Sequence, residues 1–287
     1  MASTDSEQDS IKSTEATFVS HLIELRNRLL KGVGAILAIF LVAAPFANDL
    51  YEILAAPLMQ ALPAGNTMIS TEPHGPFFVP FKFAFAVSVA VAMPILLYQI
   101  WSFVAPGLYK KEKRLVIPLL VSSTLLFYLG ILFAYFVVFP IIFLFFTASA
   151  PDGVAVMTDI SAYLGFVLKL FFAFGIAFEV PVATVLMVRM GVTTPDSLSE
   201  KRPYIIVSAF VVGMLLTPPD IFSQTMLAFP VWLLFEIGLF FSRRIYKNKL
   251  AQAKLDESMD SEDIDNEEYD EIDAEMEKAA KEYHRDS

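Results

Sequence analysis

Cysteine is absent from this 287-residue chain. Its absence rules out disulfides, thiolate nucleophiles and cysteine-ligated metals, and says little about compartment. Histidine is scarce, limited to His21, His74 and His284. His284 lies in a C-terminal tail, and an apolar stretch separates the other two. No His-Glu-x-x-His helix occurs, and a Ser-His-Asp triad inside a bilayer cannot be assembled from these residues. A glycine-rich phosphate loop ending in Lys-Ser or Lys-Thr is also missing, which argues against ATP hydrolysis. The expectation is a protein that is not an enzyme, with no metal and no cofactor.

Charge is sparse too, at 18% of residues, whereas 56% are hydrophobic and 27 are phenylalanine. Mean hydropathy is +0.58. A soluble domain of this length needs more polar surface, so the excess apolar surface calls for lipid as solvent. The net charge of −10 misleads. Residues 251–287 hold 15 of the 31 acids and only 4 of the 21 bases, which leaves the body nearly neutral. Residues 1–17 are polar and lack a basic segment followed by an apolar core, so they do not read as a cleavable signal peptide.

A membrane helix needs roughly 20 apolar residues. Six candidates occur: residues 32–47 (extendable through Leu29, Leu30 and Leu50), 81–104, 115–148, 163–190, 204–216 and 225–241. If the N-terminus is inside, the inner segments carry Arg26, Arg28, Lys31, Lys110, Lys111, Lys113, Arg114, Arg189, Lys201, Arg202, Arg243, Arg244, Lys247 and Lys249. The outer loops, 48–80, 148–162 and 218–224, carry no lysine or arginine. This partition predicts an all-α, polytopic membrane protein with six transmembrane helices and both termini cytoplasmic. The organisation expected is a polar N-terminus (1–17), a transmembrane domain (18–244) and an acidic tail (245–287) that is disordered or helical only at its end. The first outer loop, rich in proline, is expected to form an ordered cap of turns and short interfacial helices. At 1.5 Å per residue the third segment would be about 50 Å long and the fifth only about 20 Å, a mismatch met either by local thinning of the bilayer or by a short segment that ends in protein-lined space.

A few polar residues sit where lipid cannot solvate them. Glu179 lies deep in the fourth segment, in Phe-Glu-Val-Pro, and is the strongest functional candidate among them. Lys169 and Glu236 lie nearer the surfaces, where interfacial anchoring is the simpler reading. Glu24 and Glu112 sit among basic neighbours on the inner side, and pairing with those neighbours is the simpler reading of both. A solute transporter with Glu179 as a proton site is the alternative function. No internal repeat supports it, and an intramembrane protease lacks its catalytic residues.

Several long strings nevertheless resemble one family. They are His21-Leu-Ile-Glu-Leu-Arg-Asn-Arg28, Ala105-Pro-Gly-Leu-Tyr-Lys-Lys-Glu-Lys-Arg114 and Ser122-Ser-Thr-Leu-Leu-Phe-Tyr128. Phe133-Ala-Tyr-Phe-Val-Val-Phe-Pro140, Phe178-Glu-Val-Pro181, Lys201-Arg-Pro-Tyr204 and Gly213-Met-Leu-Leu-Thr-Pro-Pro-Asp220 follow in order. Between about residues 18 and 244 the chain resembles TatC, the multispanning subunit of the bacterial twin-arginine protein translocase. The acidic tail lies outside the resemblance.

The resemblance implies a protein of the bacterial cytoplasmic membrane that binds Arg-Arg signal peptides and exports folded proteins using the proton-motive force. It implies the single-span partners TatA and TatB, homo-oligomers within the complex, contact with membrane lipid, and no nucleic acid. The implied signal-peptide site comprises Glu24, Arg26, Phe103, Leu108, Tyr109 and Glu112. Partner-helix contacts fall at Met214, Leu215, Thr217 and Gln224. The chemistry is consistent with this, because two guanidinium groups call for two carboxylates, each able to grip a planar fork that lysine cannot imitate. The cluster Lys110, Lys111, Lys113 and Arg114 would repel an unspecific basic ligand.

Overall fold

The structure, a computed structural model, describes residues 3–61, 68–104, 116–149, 157–216 and 221–285. Among these the regular structure is helical, and the only β pairing is a single parallel bridge between Ile69 and Asp159. Five helical stretches are long and apolar enough to cross a membrane: Leu22–Ala56, Gly75–Phe103, Ile117–Ala148, Ile160–Arg189 and Ile221–Gln252.

The first stretch joins α1 (Ser3–Ala43), a short 3-10 turn at Ala44–Phe46 and α2 (Ala47–Ala61). Pro45 sets the turn, because it cannot donate to the helical ladder. The expected first outer loop is therefore half helix. Its far end also belongs to a helix, since α3 (Gly75–Val104) begins six residues before Phe81 and contains Pro80 and Pro94. The cap thus contains helix, continuous with the flanking spans and not confined to short interfacial pieces. Pro80 falls in the first turns of α3, where few ladder bonds are lost.

The third stretch is α4 (Val116–Phe133), a π-helical turn at Ala134–Val138, and α5 (Phe139–Ala148). Pro140 lies just past that turn; wide turns of this kind mark local accommodations of the ladder. The fourth stretch is not one helix. It divides into α6 (Ile160–Ala177) and α7 (Val180–Arg189), with Phe178 and Glu179 between them. Pro181 lacks an N–H, which releases the backbone there. Gly191, at φ +73°, ends α7 in the left-handed region that glycine adopts without strain. A short α8 (Pro195–Glu200) follows, capped by the Thr194 hydroxyl.

The fifth apolar segment is α9 (Arg202–Leu216), too short to count among the five spans. The last is α10 (Ile221–Arg285). The acidic tail, expected to be disordered or helical only at its end, lies within α10, which runs to Arg285. The tail's Ala, Glu, Lys and Met content favours helix.

Packing joins these elements into a bundle with two cores. Near the starts of α3 and α6, Val79, Phe83, Phe139, Ile142, Tyr163 and Leu164 are buried together with Leu54 of α2. At the opposite end, Val188, Leu198, Phe235 and Leu239 bring α7, α8 and α10 together. Close approach depends on small residues. A Cβ on Gly130 of α4 would lie 2.5 Å from the Phe174 carbonyl oxygen of α6. One on Gly238 of α10 would lie 2.8 Å from the Pro181 Cα of α7.

Candidate functional site

Two contacts set the register of α1 against α3. A Cβ on Gly32 would lie 2.8 Å from Leu96 Cδ2, and the Phe40 and Phe85 rings meet edge to face at 5.7 Å. As numbering rises along α1 it falls along α3, so the helices are antiparallel. Continuing that count brings Glu24 level with Phe103 and Val104. Glu24 and Phe103 are both partly buried, and Arg26 is exposed. Leu108, Tyr109 and Glu112 lie outside the described residues.

The Glu24 carboxylate is engaged within its own helix. Arg28 donates to Oε1 from Nε at 2.9 Å and from Nη2 at 2.5 Å. The spacing of four residues places the two side chains one above the other on α1. A guanidinium is thus already held at the position where the resemblance puts the first arginine of a ligand.

The basic ends of the later helices are also joined by charged groups. Arg202 of α9 reaches Glu236 of α10 at two points, Nε to Oε1 at 2.6 Å and Nη2 to Oε2 at 2.8 Å. Arg243 donates to Ser199 Oγ at 3.1 Å, and Lys249 to the Arg189 carbonyl at 3.4 Å. Glu236 is therefore a partner in an interhelical ion pair. Sequence spacing could not disclose this, since 34 residues separate it from Arg202.

Glu179 occupies the break between α6 and α7. The Ser123 hydroxyl of α4 stands beside its carboxylate, and Oε1 is buried without a hydrogen bond among the described residues. Next to it lies an apolar hollow of about 620 Å³ between α4, α7 and α10, lined by its neighbours Phe178 and Pro181 and by Ser122.

Met214 and Leu215, near the end of α9, are exposed. The adjacent Gly213 is buried, and a Cβ there would lie 3.7 Å from the Gln224 Cα at the start of α10. These three residues share one end of the α9–α10 pair. Thr217 lies outside the described residues.

At the opposite end of the bundle from Glu24, Asp159 ties two chain segments together. Its side chain caps α6 by accepting from Ser161 N and Ala162 N, and it also accepts from Thr71 N and Thr71 Oγ1, both at 2.8 Å. Hydrogen bonds from the Thr71 and Ala162 amides, then the Thr71 hydroxyl, hold this carboxyl down at about 2. The place of Asp159 directly before an apolar run is the sequence signal of such an N-cap. Lys82, one residue inside the second apolar segment, was passed over.

A helical bundle with five apolar spans, a basic end and buried polar residues inside the spans is an integral membrane protein of the multi-pass kind. The family model described as Sec-independent protein translocase protein (TatC) matches residues 20–230, and the chain belongs to that family. It is 58% identical over 234 residues to "Sec-independent protein translocase protein TatC" of Escherichia coli (strain K12), covering 82% of this chain and 90% of that protein. It is 41% identical over 231 residues to the protein of the same name from Aquifex aeolicus (strain VF5), covering 80% and 95%. Among solved structures it is similar to "Crystal Structure of Twin Arginine Translocase Receptor- TatC", with a TM-score of 0.70, 42% identity, and coverage of 78% of this chain and 98% of that one. The chain is a core subunit of the Tat translocase and a multi-pass protein of the bacterial inner membrane.

Proposed function

We propose that the inner ends of α1 and α3 form the receptor for the paired arginines of a signal peptide. Glu24 and Glu112 each take one guanidinium, and Phe103, Leu108 and Tyr109 supply apolar contact. Arg26, exposed on the same stretch of α1, belongs to the same site. The register that brings Glu24 level with Phe103 carries this reading. The Arg28 guanidinium already held by Glu24 supports it, because an incoming arginine needs only to replace one fork by another. A single-span peptide and its folded cargo would then pass to the assembled complex, with the proton-motive force as drive.

The same reading has six crossings. α9 at about 22 Å is short of the roughly 30 Å hydrocarbon core, so it crosses only where the bilayer thins or a partner covers its end. Both termini are cytoplasmic by the one-sided placement of lysine and arginine. TatB or TatA docks a single-span helix on Met214, Leu215, Thr217 and Gln224, and further copies of the chain complete the complex. The polar N-terminus, the bundle and the acidic tail act as separate parts. Glu179 serves the transport step through the hollow beside it.

The experiment is site-specific photo-cross-linking in inverted inner-membrane vesicles. A probe at residue 103 should capture a signal peptide bearing Arg-Arg and lose it when the pair becomes Lys-Lys. Equal capture of both peptides would exclude this receptor site.

A further inference from the structure

Lys82 of α3 is exposed, lies inside an apolar span, and makes no ion pair or hydrogen bond among the described residues. It lines a groove of about 500 Å³ whose other walls are apolar: Phe40 of α1, Phe81 and Phe85 of α3, and Leu168 and Phe172 of α6. Lysine in hydrocarbon is costly unless it reaches the interface or meets an anion.

A second lysine stands at matching depth. α3 and α6 start side by side, since Ile69 bridges Asp159 and a Cβ on Gly75 would lie 3.6 Å from Ile160. Lys82 follows Gly75 by seven residues, and Lys169 follows Ile160 by nine. At 1.5 Å per residue both lie about 10–14 Å along their helices. Lys169 is exposed and neighbours Leu168, so it flanks the groove on the α6 side.

The acids near those helix starts are engaged elsewhere. Glu72 meets His74 at 3.2 Å, and Asp159 is taken by Thr71 and the first turn of α6. Asp49 and Glu52 of α2 form no ion pair with either lysine. Among the described residues the protein therefore offers two cations beside an apolar trough and no carboxylate paired with them.

We propose that this groove binds an anionic glycerophospholipid. One acyl chain lies along the phenylalanines, and the phosphate sits between Lys82 and Lys169. Both lysines can extend their methylene stems along the helix toward the headgroup level. Charge decides the occupant: an amphiphile with an anionic head satisfies wall and cations together, whereas a partner helix would have to carry a carboxylate into the same depth.

The test is native mass spectrometry of the purified full chain, equilibrated with equal amounts of palmitoyl-oleoyl phosphatidylglycerol and phosphatidylcholine. The wild type should retain phosphatidylglycerol in preference. Each lysine near a headgroup contributes roughly fivefold, so the double variant K82Q/K169Q should lose more than about tenfold of that retention. K82R/K169R should keep most of it, and K247Q, on α10, should behave as wild type. V89W, which fills the groove and leaves both lysines in place, should also lose the lipid and guards against misfolding of the charge variants. Unchanged phosphatidylglycerol retention by K82Q/K169Q, or equal retention of the two lipids by the wild type, would overturn the proposal. So would loss of a cross-link to another protein in K82Q with lipid retention intact.

Discussion

Arg202 and Glu236 hold α9 to α10 through two contacts, at 2.6 and 2.8 Å. Only the Nη2 contact has hydrogen-bond geometry; Nε lies close to Oε1 as an ion-pair contact without one. The pair anchors the short helix at its start, while Gly213 lets its other end lie close to Gln224. Both side chains are about one-third exposed, which trims the value of the pair. Arg202→Gln or Glu236→Gln should lower stability by about 1–2 kcal/mol, read as the apparent Tm in detergent. The exchange R202E/E236R should recover much of the loss. No recovery in the double exchange would mean that each side chain acts alone.

Asp159 links the segment around Thr71 to the start of α6, and its pH behaviour can be assigned a sign. Its carboxyl is held at about 2 in the folded protein, below the ordinary carboxylate range, by amide and hydroxyl donors. A depressed folded value means that the stabilisation is fully present above the unfolded value. It is lost as pH falls through about 2. The wild type should therefore become less stable on acidification in the region below about pH 4. Asp159→Asn should flatten that part of the profile and lower stability at pH 7. A scan of apparent Tm against pH for both proteins decides it.

Gly130 tests the contact between α4 and α6. A methyl group there would be 2.5 Å from the Phe174 carbonyl oxygen and 3.1 Å from the Gly175 Cα, and neither backbone atom can swing aside. Gly130→Ala should cost about 1–3 kcal/mol. Gly34→Ala, with nothing within 4 Å of the added carbon, should be neutral or slightly stabilising. Thermal unfolding of the two variants side by side gives the comparison, and equal melting would remove the argument from close packing.

A double-mutant cycle measures the receptor site. Glu24→Ala and Glu112→Ala are each crossed with replacement of one peptide arginine. A charge-assisted hydrogen bond is worth about 1.5–3 kcal/mol, so each loss should weaken binding roughly tenfold to a hundredfold. Glu24 is in contact with water, which pulls its value to the lower end. On the proposed reading Glu24 exchanges Arg28 for the ligand, so Arg28→Gln should strengthen binding or leave it unchanged. Coupling near zero for both acids would assign them to their basic neighbours alone.

Cross-linking through the other site should separate α9 from α1. Cysteines at Met214, Leu215 and Gln224 are expected to form disulfides with a cysteine in the TatB or TatA span. Cysteines at Leu37 and Leu41, also exposed apolar positions, are the comparison. Efficient reaction at both sets would leave α9 without a special role.

The amino-acid sequence by itself determined the medium and the broad architecture. Runs of apolar residues long enough to cross a bilayer, and bases confined to alternate loops, follow from the cost of desolvating charge and need no tertiary contact to be read. The motif strings likewise pointed to the family, because they name residues and not shapes. What the sequence could not reveal is how the helices face one another. A helix apolar all round carries no periodic signal for the side that meets protein and the side that meets lipid. The pairing of Glu236 with Arg202, the link from Asp159 to Thr71 and the register of Glu24 against Phe103 each join residues far apart in the chain. Only packing through Gly32, Gly130 and Gly238 decides them. The same holds for Lys82, an ordinary helix-end lysine until the neighbouring walls of α1 and α6 turn its position into one side of a groove.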